Sequence, residues 1–269
     1  MHVTINKMFT IILLQTLYFI LKPQFIVTGY TATTLSIYGI RNSITSKGVR
    51  KRFTFLSSPS ITAYRTEGQE KNRATQTPIP RPIRIILVRH GESLGNVDES
   101  AYVTTPDWRI PLTDRGHEQA SETGKELKRI IGNDDGVFFY YSPYRRTRET
   151  VKEIEKHLHP KQIISMREEP RISEQQFGNF QNVEQVWESK RERHKFGRFY
   201  YRFRSGEAGL DVYSRVSSFI ATLVRDCQQY QKAGYDLDKI NVVIVTHGLS
   251  LRLFLMRWFQ VSALVLKSS

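Results

Sequence analysis

The sequence has one cysteine, Cys227, among its 269 residues. A lone cysteine excludes an intramolecular disulfide framework and a four-cysteine zinc site. It also leaves the redox compartment unmarked, because there is no pair to oxidise. Acidic residues are missing from the N-terminal stretch: residues 1–66 hold eight Lys or Arg and no Asp or Glu. Of the 40 basic residues, 32 therefore fall after position 66, against 26 acids. The net charge of +14 belongs mainly to the N-terminal stretch, and the body carries only +6. The overall basicity is thus not a nucleic-acid footprint, while a mildly basic body suits an anionic substrate or partner. Long hydrophobic runs are missing too. The most apolar stretch, MFTIILLQTLYFIL (8–21), has 14 residues, where a spanning helix needs roughly 20.

Residues 8–21 fit a signal-peptide core or a membrane-proximal helix, through which the chain would touch a membrane. The later stretch TGYTATTLSIYGIRNSITSKGVRKRF is rich in Ser, Thr and basic residues and free of acids. That is transit-peptide composition. Residues 1–66 are therefore expected to be a leader for import into an organelle. Secretion, a membrane anchor and a cytoplasmic extension are the alternatives. EGQEKNRATQTPIPRP (67–82) is polar and proline-bearing and reads as a linker. The catalytic domain is expected over 83–269.

From Ile83 onward strands and helices alternate. IRIILV, VFFYYS (137–142), KQIISM (161–166) and INVVIVT (240–246) read as strands. Between and after them, helical spacing covers 113–131 with Thr113 as N-cap, 144–158, 183–203 with an interruption at Gly197, 211–231, and 249–259. This alternation predicts an α/β domain with a mostly parallel sheet. Ligands bind such sheets beyond the carboxyl ends of the strands. Arg89, His90, Ser142, His247 and Gly248 all fall at such ends.

Two strands finish in His-Gly: LVRHG and VIVTHG. Glycine allows close backbone approach to a ligand. A lone histidine at a strand end is usually structural, but two such pairs, one preceded by Arg89, point to a site. SPYRRTRET puts Arg145, Arg146 and Arg148 at a helix start, where anions are favoured. The bland reading of Arg148 is an exposed pairing with Glu149. Glu174, in EEPRISEQQFGNF, lies in a loop before Gly178 and brings a carboxyl group. The set has no metal-ligand pattern. It suits phosphoryl transfer through a phosphohistidine, with histidine as covalent nucleophile. Arginines and the second histidine would meet the phosphoryl charge, and the carboxyl group would move the proton.

LVRHGESLGN, PLTDRGHEQA, SPYRRTRET, EQQFGNF and VTHG, in this order, resemble the motifs of the histidine phosphatase superfamily, the phosphoglycerate mutase-like proteins. The motifs resemble those of plant-type members in particular. The resemblance covers about 83–260. It implies a three-layer α/β/α sandwich with a small helical cap, about 181–210. It implies His90 as the phosphorylated nucleophile, Arg89 and Asn96 as phosphate contacts, Arg146 rather than Arg145 in the pocket, Glu174 as proton donor and His247 as the second pocket histidine. Ser93, Gly248 and Arg204 are further expected substrate contacts. Two departures stand out. In RFRSGEAGLDVYSR, Ala208 replaces a usual serine. The chain also stops 22 residues past His247, so the C-terminal part of the fold reads as truncated.

The expected function is a metal-independent phosphomonoesterase acting on a small phosphorylated metabolite, with no cofactor. The alternative is a phosphoglycerate mutase-type isomerase of carbohydrate metabolism, for which 2,3-bisphosphoglycerate would be the cofactor. A mutase must exclude water, which a modest cap and short tail do not favour. KRERHKFGRFYYRFR (190–204) carries seven basic residues among aromatics. It reads as a solvated cap or an electrostatic lip over an anionic substrate. A nucleic-acid, membrane or protein-binding module without catalysis is the reading from another class. The leader favours a plastid.

Overall fold

The most strand-like run of the sequence, INVVIVT, forms the centre of the sheet. As β6 (Ile240–Thr246) it is buried at every residue, as a continuous apolar run covered on both faces must be. β3 (Arg84–Arg89) pairs with it in parallel on one side and β4 (Gly136–Tyr141) on the other. β5 (Ile163–Glu168) lies beyond β4, also parallel. This computed structural model describes residues 12–14, 24–28, 80–179 and 182–260. The chain divides into two units, Met1–Thr33 with Pro80–Ser269 and Thr34–Ile79, of which the second lies wholly outside the described residues. So do most of the leader, the linker up to 79 and the chain end at 261–269.

Beyond β3 lie two strands from the stretch read as leader. β2 (Gln24–Thr28) runs parallel to β3, with Gln24 opposite Arg84 and Thr28 opposite Val88. β1 (Ile12–Leu14) is antiparallel to β2. The sheet order is β1-β2-β3-β6-β4-β5. Short apolar runs such as QFIVT cannot be assigned by periodicity alone, so composition suggested a leader and no strand. Among the described residues no helix is long and apolar enough to cross a membrane.

Strand side chains alternate between faces, and the core divides accordingly. Ile86, Val88, Phe139 and Val243 pack against Leu127 of α3 (Asp114–Ile130) and Val151 of α4 (Arg145–Glu155). Ile85, Leu87, Tyr140 and Ile244 pack against Val216 and Phe219 of α6 (Gly209–Lys232) and Phe254 of α7 (Gly248–Phe259). The result is the three-layer sandwich. Each such fully buried side chain contributes about 1.5–3 kcal/mol. Thr113 caps α3 as expected, accepting from the Gly116 amide. His117 of α3 reaches Glu153 of α4 at 3.0 Å, and His157, just past α4, reaches Ser121 of α3 at 2.8 Å, so both tie the two helices together.

The cap is one helix, α5 (Val183–Phe196), ended at Gly197 with φ 106°. The expected continuation to Phe203 is irregular chain. Only Val186 of α5 is buried, so polar ties hold it. Glu99 accepts from Trp187 Nε1 at 3.1 Å and pairs with Lys190. Two one-turn helices, α1 (Leu94–Val97) and α2 (Ala101–Thr104), follow the first His-Gly pair. They are too short to show a period.

Candidate active site

Register decides what meets beyond the strands. Arg89 lies opposite Thr246, so the next residues, His90 and His247, emerge side by side. Their ring centroids are 5.1 Å apart at 62°. Tyr141 lies opposite Val245, which brings Ser142 to the same end. Both histidines are buried. Burial first, and then the Arg146 guanidinium, hold both imidazoles well below the usual histidine range. They are neutral at pH 7.

Each ring has a fixed orientation. His90 Nδ1 lies 2.7 Å from the Gly91 carbonyl oxygen. A carbonyl only accepts, so Nδ1 carries the proton and Nε2 keeps its lone pair. Arg146 Nε donates to that Nε2 at 3.3 Å. His247 Nε2 lies 2.8 Å from Ser142 Oγ, and the Tyr144 amide donates to the same Oγ at 3.4 Å. A hydroxyl both donates and accepts, so this contact is compatible with the His247 proton on either Nε2 or Nδ1. That Nδ1 is buried without a partner, as is Arg89 Nε. A buried unpaired donor or acceptor costs about 1–3 kcal/mol. Two such atoms, Arg89 Nε and His247 Nδ1, leave unused polar capacity beside the His90 ring.

Of the three arginines opening α4, only Arg146 turns inward, with its side chain 3% exposed. Its Nη1 donates to the carbonyl and carboxylate of Asp107, each at 2.8 Å. Its guanidinium carbon sits 5.0 Å over the Tyr144 ring. Arg145 pairs outward with Glu149 at 2.7 Å. Arg148 pairs with Glu168 at 3.5 Å, so its partner is not the Glu149 expected from sequence. The Tyr102 and Tyr144 hydroxyls are pushed up to about 12, chiefly by burial, and stay neutral.

Glu174 enters from the loop after β5. Its carboxylate lies 4.0 Å from His247 Nδ1. Burial raises its pKa against the pull of Arg146. The loop is held from three sides. Thr246 Oγ1 donates to the Ile172 carbonyl and Ser250 Oγ to the Ser173 carbonyl, both at 2.6 Å. Arg215 of α6 donates to the carbonyls of Arg171, Ser173 and Glu174 at 2.8, 2.9 and 2.9 Å. Gly178, at φ 92°, brings its backbone so close to Arg204 that a Cβ would stand 2.2 Å from that carbonyl.

The other expected contacts divide. A Cβ on Gly248 would lie 3.6 Å from Arg89 Nε, so Gly248 does border the pocket. Gly91 was read as clearing room for a ligand. It clears room for protein instead, since a Cβ there would stand 2.3 Å from the Gly116 carbonyl. Ser93 is buried and donates through N–H and Oγ to Asn96 Oδ1 at 3.0 and 3.1 Å. Asn96 itself is exposed, and this cap is what its oxygen serves. The Arg204 side chain is exposed; only its carbonyl takes part, against Gly178. Asp107, Tyr102, Tyr144 and Arg215 escaped the sequence reading. Asp107 opens a three-residue 3-10 turn, Asp107–Arg109, too short to show a period. Arg215 looks like any exposed helix arginine until the loop is folded over it.

A parallel α/β sheet with two buried histidines, two inward arginines and a carboxyl group at its strand ends defines a class of phosphate-handling proteins. Residues 85–267 match the histidine phosphatase superfamily (branch 1), and the chain belongs to that superfamily. It is 49% identical over 187 residues to the phosphoglycerate mutase-like protein AT74H of Arabidopsis thaliana, the match covering 66% of each chain. The chain thus spans just under two thirds of that relative. It is 29% identical over 268 residues to the broad-range acid phosphatase DET1 of Saccharomyces cerevisiae, covering 67% of this chain and 79% of that protein. The structure of mycobacterial glucosyl-3-phosphoglycerate phosphatase aligns with a TM-score of 0.51 at 19% identity, over 66% of this chain and 79% of that one. That is a likeness of fold.

Proposed function

We propose that this chain is a phosphomonoesterase that works through a phosphohistidine at His90. The observation that carries the reading is the fixed tautomer of His90, which leaves the lone pair on Nε2, where it now accepts the Arg146 Nε hydrogen bond that a phosphoryl oxygen would take over. Nε2 forms the bond to phosphorus as the ester P–O bond breaks. Glu174, with its raised pKa, delivers a proton to the departing alkoxide. Water then attacks the phosphorus, Glu174 takes its proton, and the P–N bond electrons return to Nε2. Arg89 Nε, the outer edge of Arg146 and His247 Nδ1–H meet the charge of the phosphoryl oxygens throughout. Fixed donors of this kind supply the largest share of such catalysis. They supply it here without a cofactor, on a small phosphorylated substrate. Asp107 and Tyr144 position Arg146, and Ser142 positions His247.

The test is hydrolysis of a phosphomonoester panel by wild type and His90→Ala, with trapping of acid-labile phosphohistidine. A loss of at least about 10³ is expected, since covalent nucleophile and positioning are lost together. Equal activity in both proteins overturns the reading. Formation of 2-phosphoglycerate from 3-phosphoglycerate with 2,3-bisphosphoglycerate would replace it with the mutase reading. For residues 1–66 we propose import into a plastid. β2 lies within that stretch, so N-terminal sequencing of the mature protein decides whether the strand is kept.

A further inference from the structure

α5 ends in a turn that faces open space. Gly197 closes the helix at φ 106°, and a Cβ there would meet nothing within 4 Å. The Tyr201 amide donates to the Gly197 carbonyl at 3.0 Å, which closes one loop of chain over 197–201. Phe199 turns inward, onto the core cluster that includes Val216 and Phe254. Its carbonyl accepts the Leu210 amide at 2.9 Å, so the start of α6 lies against the turn. Phe196 enters this turn and Tyr200 leaves it. They are 69% and 64% exposed, and Leu210 is 43% exposed. Each exposed ring rests edge-on against an inner one, Phe196 at 6.2 Å on Tyr201 and Tyr200 at 4.9 Å on Phe199. Single exposed apolar side chains are ordinary, but three gathered at one turn form a patch.

The same turn is positively charged, and the acids nearest to it are taken. Arg191, Lys195 and Arg198 are exposed and form no ion pair among the described residues. Glu192 accepts from the Tyr201 hydroxyl at 2.7 Å, and Asp211 pairs with Arg202 at 2.7 Å. Glu184 and Glu188 lie in the first half of α5, at the other end of the helix. Cations flanking apolar side chains match an anionic bilayer. There aromatic and aliphatic groups sink to the acyl boundary while Lys and Arg meet the headgroups. Size speaks against a stable protein contact, which takes about 800 Å² and about 20–30 residues a side. Single-stranded nucleic acid seeks ring faces to stack on, and Leu210 offers none.

We infer that the turn at 196–200, with Leu210, docks the protein on the surface of an anionic bilayer. Phe196, Tyr200 and Leu210 enter the acyl boundary, and Lys195 and Arg198 hold the headgroups. The inference does not depend on the phosphatase reading. It does give the cap a place in it, because a chain of rings runs from the turn to the acid loop. Tyr201 packs on Phe203 at 5.2 Å, and Phe203 on Phe177 at 5.1 Å, three residues past Glu174. Docking by the turn thus brings the pocket toward the membrane.

Residues 1–66 are basic and include the apolar run 8–21, and such a stretch binds lipid by itself. The experiment therefore reads the turn directly in the full chain. Tyr200→Cys carries an environment-sensitive fluorophore, while Cys227 is buried and stays unlabelled. Lys161→Cys, before β5 at the opposite ends of the strands, carries the same fluorophore. Vesicles of phosphatidylcholine with about 30% phosphatidylglycerol are expected to shift the emission at 200 to the blue and leave that at 161 unchanged, and phosphatidylcholine alone to do far less. In the protein labelled at 200, Lys195→Glu with Arg198→Glu should raise the lipid concentration at half-maximal shift at least about tenfold. Phe196→Ser should raise it at least about fivefold. These three residues are exposed, so the variants leave the core intact. Absence of a shift at 200 overturns the inference; if the protein still sediments with the vesicles, the N-terminal stretch binds them alone. Equal shifts at 200 and 161, an equal response to phosphatidylcholine alone, or a half-maximum that either variant leaves untouched overturns it too. An RNA homopolymer that shifts the label at 200 where vesicles do not would assign the turn to nucleic acid instead.

Discussion

Arg215 and Glu207 meet in a two-pronged pair, with Nε and Nη2 each donating to a carboxylate oxygen at 3.0 Å. The remaining donors of the same guanidinium hold the carbonyls on either side of Glu174. One side chain thus fastens the loop that carries the proposed acid. Arg215→Gln is expected to displace Glu174 and to slow hydrolysis in a manner set by the leaving group. Alkyl phosphates need the proton and should lose about tenfold or more, out of the ~10²–10⁴ that proton transfer contributes. p-Nitrophenyl phosphate, whose leaving group departs unprotonated, should lose far less. A uniform loss across leaving groups would mean that Arg215 serves stability alone.

Glu174 itself gives a pH signature. Its raised pKa keeps the carboxyl protonated further toward neutral pH than an ordinary glutamate. Turnover of alkyl phosphates should therefore fall as pH rises through that raised value. Glu174→Gln should abolish this limb and cost about 10²–10⁴ in kcat on those esters. A pH–rate profile of the two proteins on one alkyl phosphate checks both statements.

The buried histidines predict acid lability. Below the ordinary histidine value of 6.5 the unfolded chain takes up protons at His90 and His247, while the folded sites, held well below it, do not. Unfolded chains then bind more protons, so stability falls as pH drops from about 6.5 toward the folded values. Glu174 acts with the opposite sign. Its contribution is present below the ordinary value of 4.5 and is lost as pH rises through its raised folded value. Melting temperatures between pH 7.5 and 5 should fall in wild type. The slope should be shallower in His247→Gln, whatever its absolute stability.

Gly116 tests the packing of the two loops behind the nucleophile. A Cβ there would stand 2.0 Å from the Glu92 carbonyl oxygen, a backbone atom that cannot rotate away. Gly116→Ala is expected to destabilise by about 1–3 kcal/mol, the range of overpacked cores. It should also lower activity by shifting the His90–Gly91 turn. Urea denaturation and turnover measured on one preparation give both readings.

Ala208 occupies the N-cap of α6 with extended backbone angles, φ −81° and ψ 160°. Its amide donates to Asp211 at 2.7 Å, but methyl cannot accept from the first-turn amides. The hydroxyl missing here is therefore a helix cap. Ala208→Ser should stabilise the protein by roughly 0.5–1 kcal/mol and leave substrate preference unaltered. A rise in melting temperature without change in KM is the expected result.

Much of the fold was open to sequence reading because the strands announce themselves. β6 and β3 are unbroken apolar runs, and the helices other than α5 keep their expected bounds to within a few residues. The five core positions were legible for a related reason. His90, Arg89, His247 and Arg146 follow directly from strand ends or a helix start, and Glu174 precedes a glycine-marked turn. Asn96 and Arg204 show the limit. Their motif neighbours converge at the strand ends, yet a side chain's direction in a one-turn helix or an irregular loop depends on what packs against it. β2 shows another limit. Its pairing with β3 spans 60 residues of sequence, and no local pattern carries it.

The sequence by itself determined the kind of chemistry available: which residue types stand at the ends of which elements, with strand and helix periods strong enough to place them. Tertiary structure decided their states and company. Parallel register set His90 beside His247. Burial made both rings neutral, and the Gly91 carbonyl chose the nitrogen that can attack. Folding brought Asp107 to Arg146 and Arg215 to the Glu174 loop. Protonation, tautomer and pairing depend on distance and dielectric, and these exist only once the chain is packed.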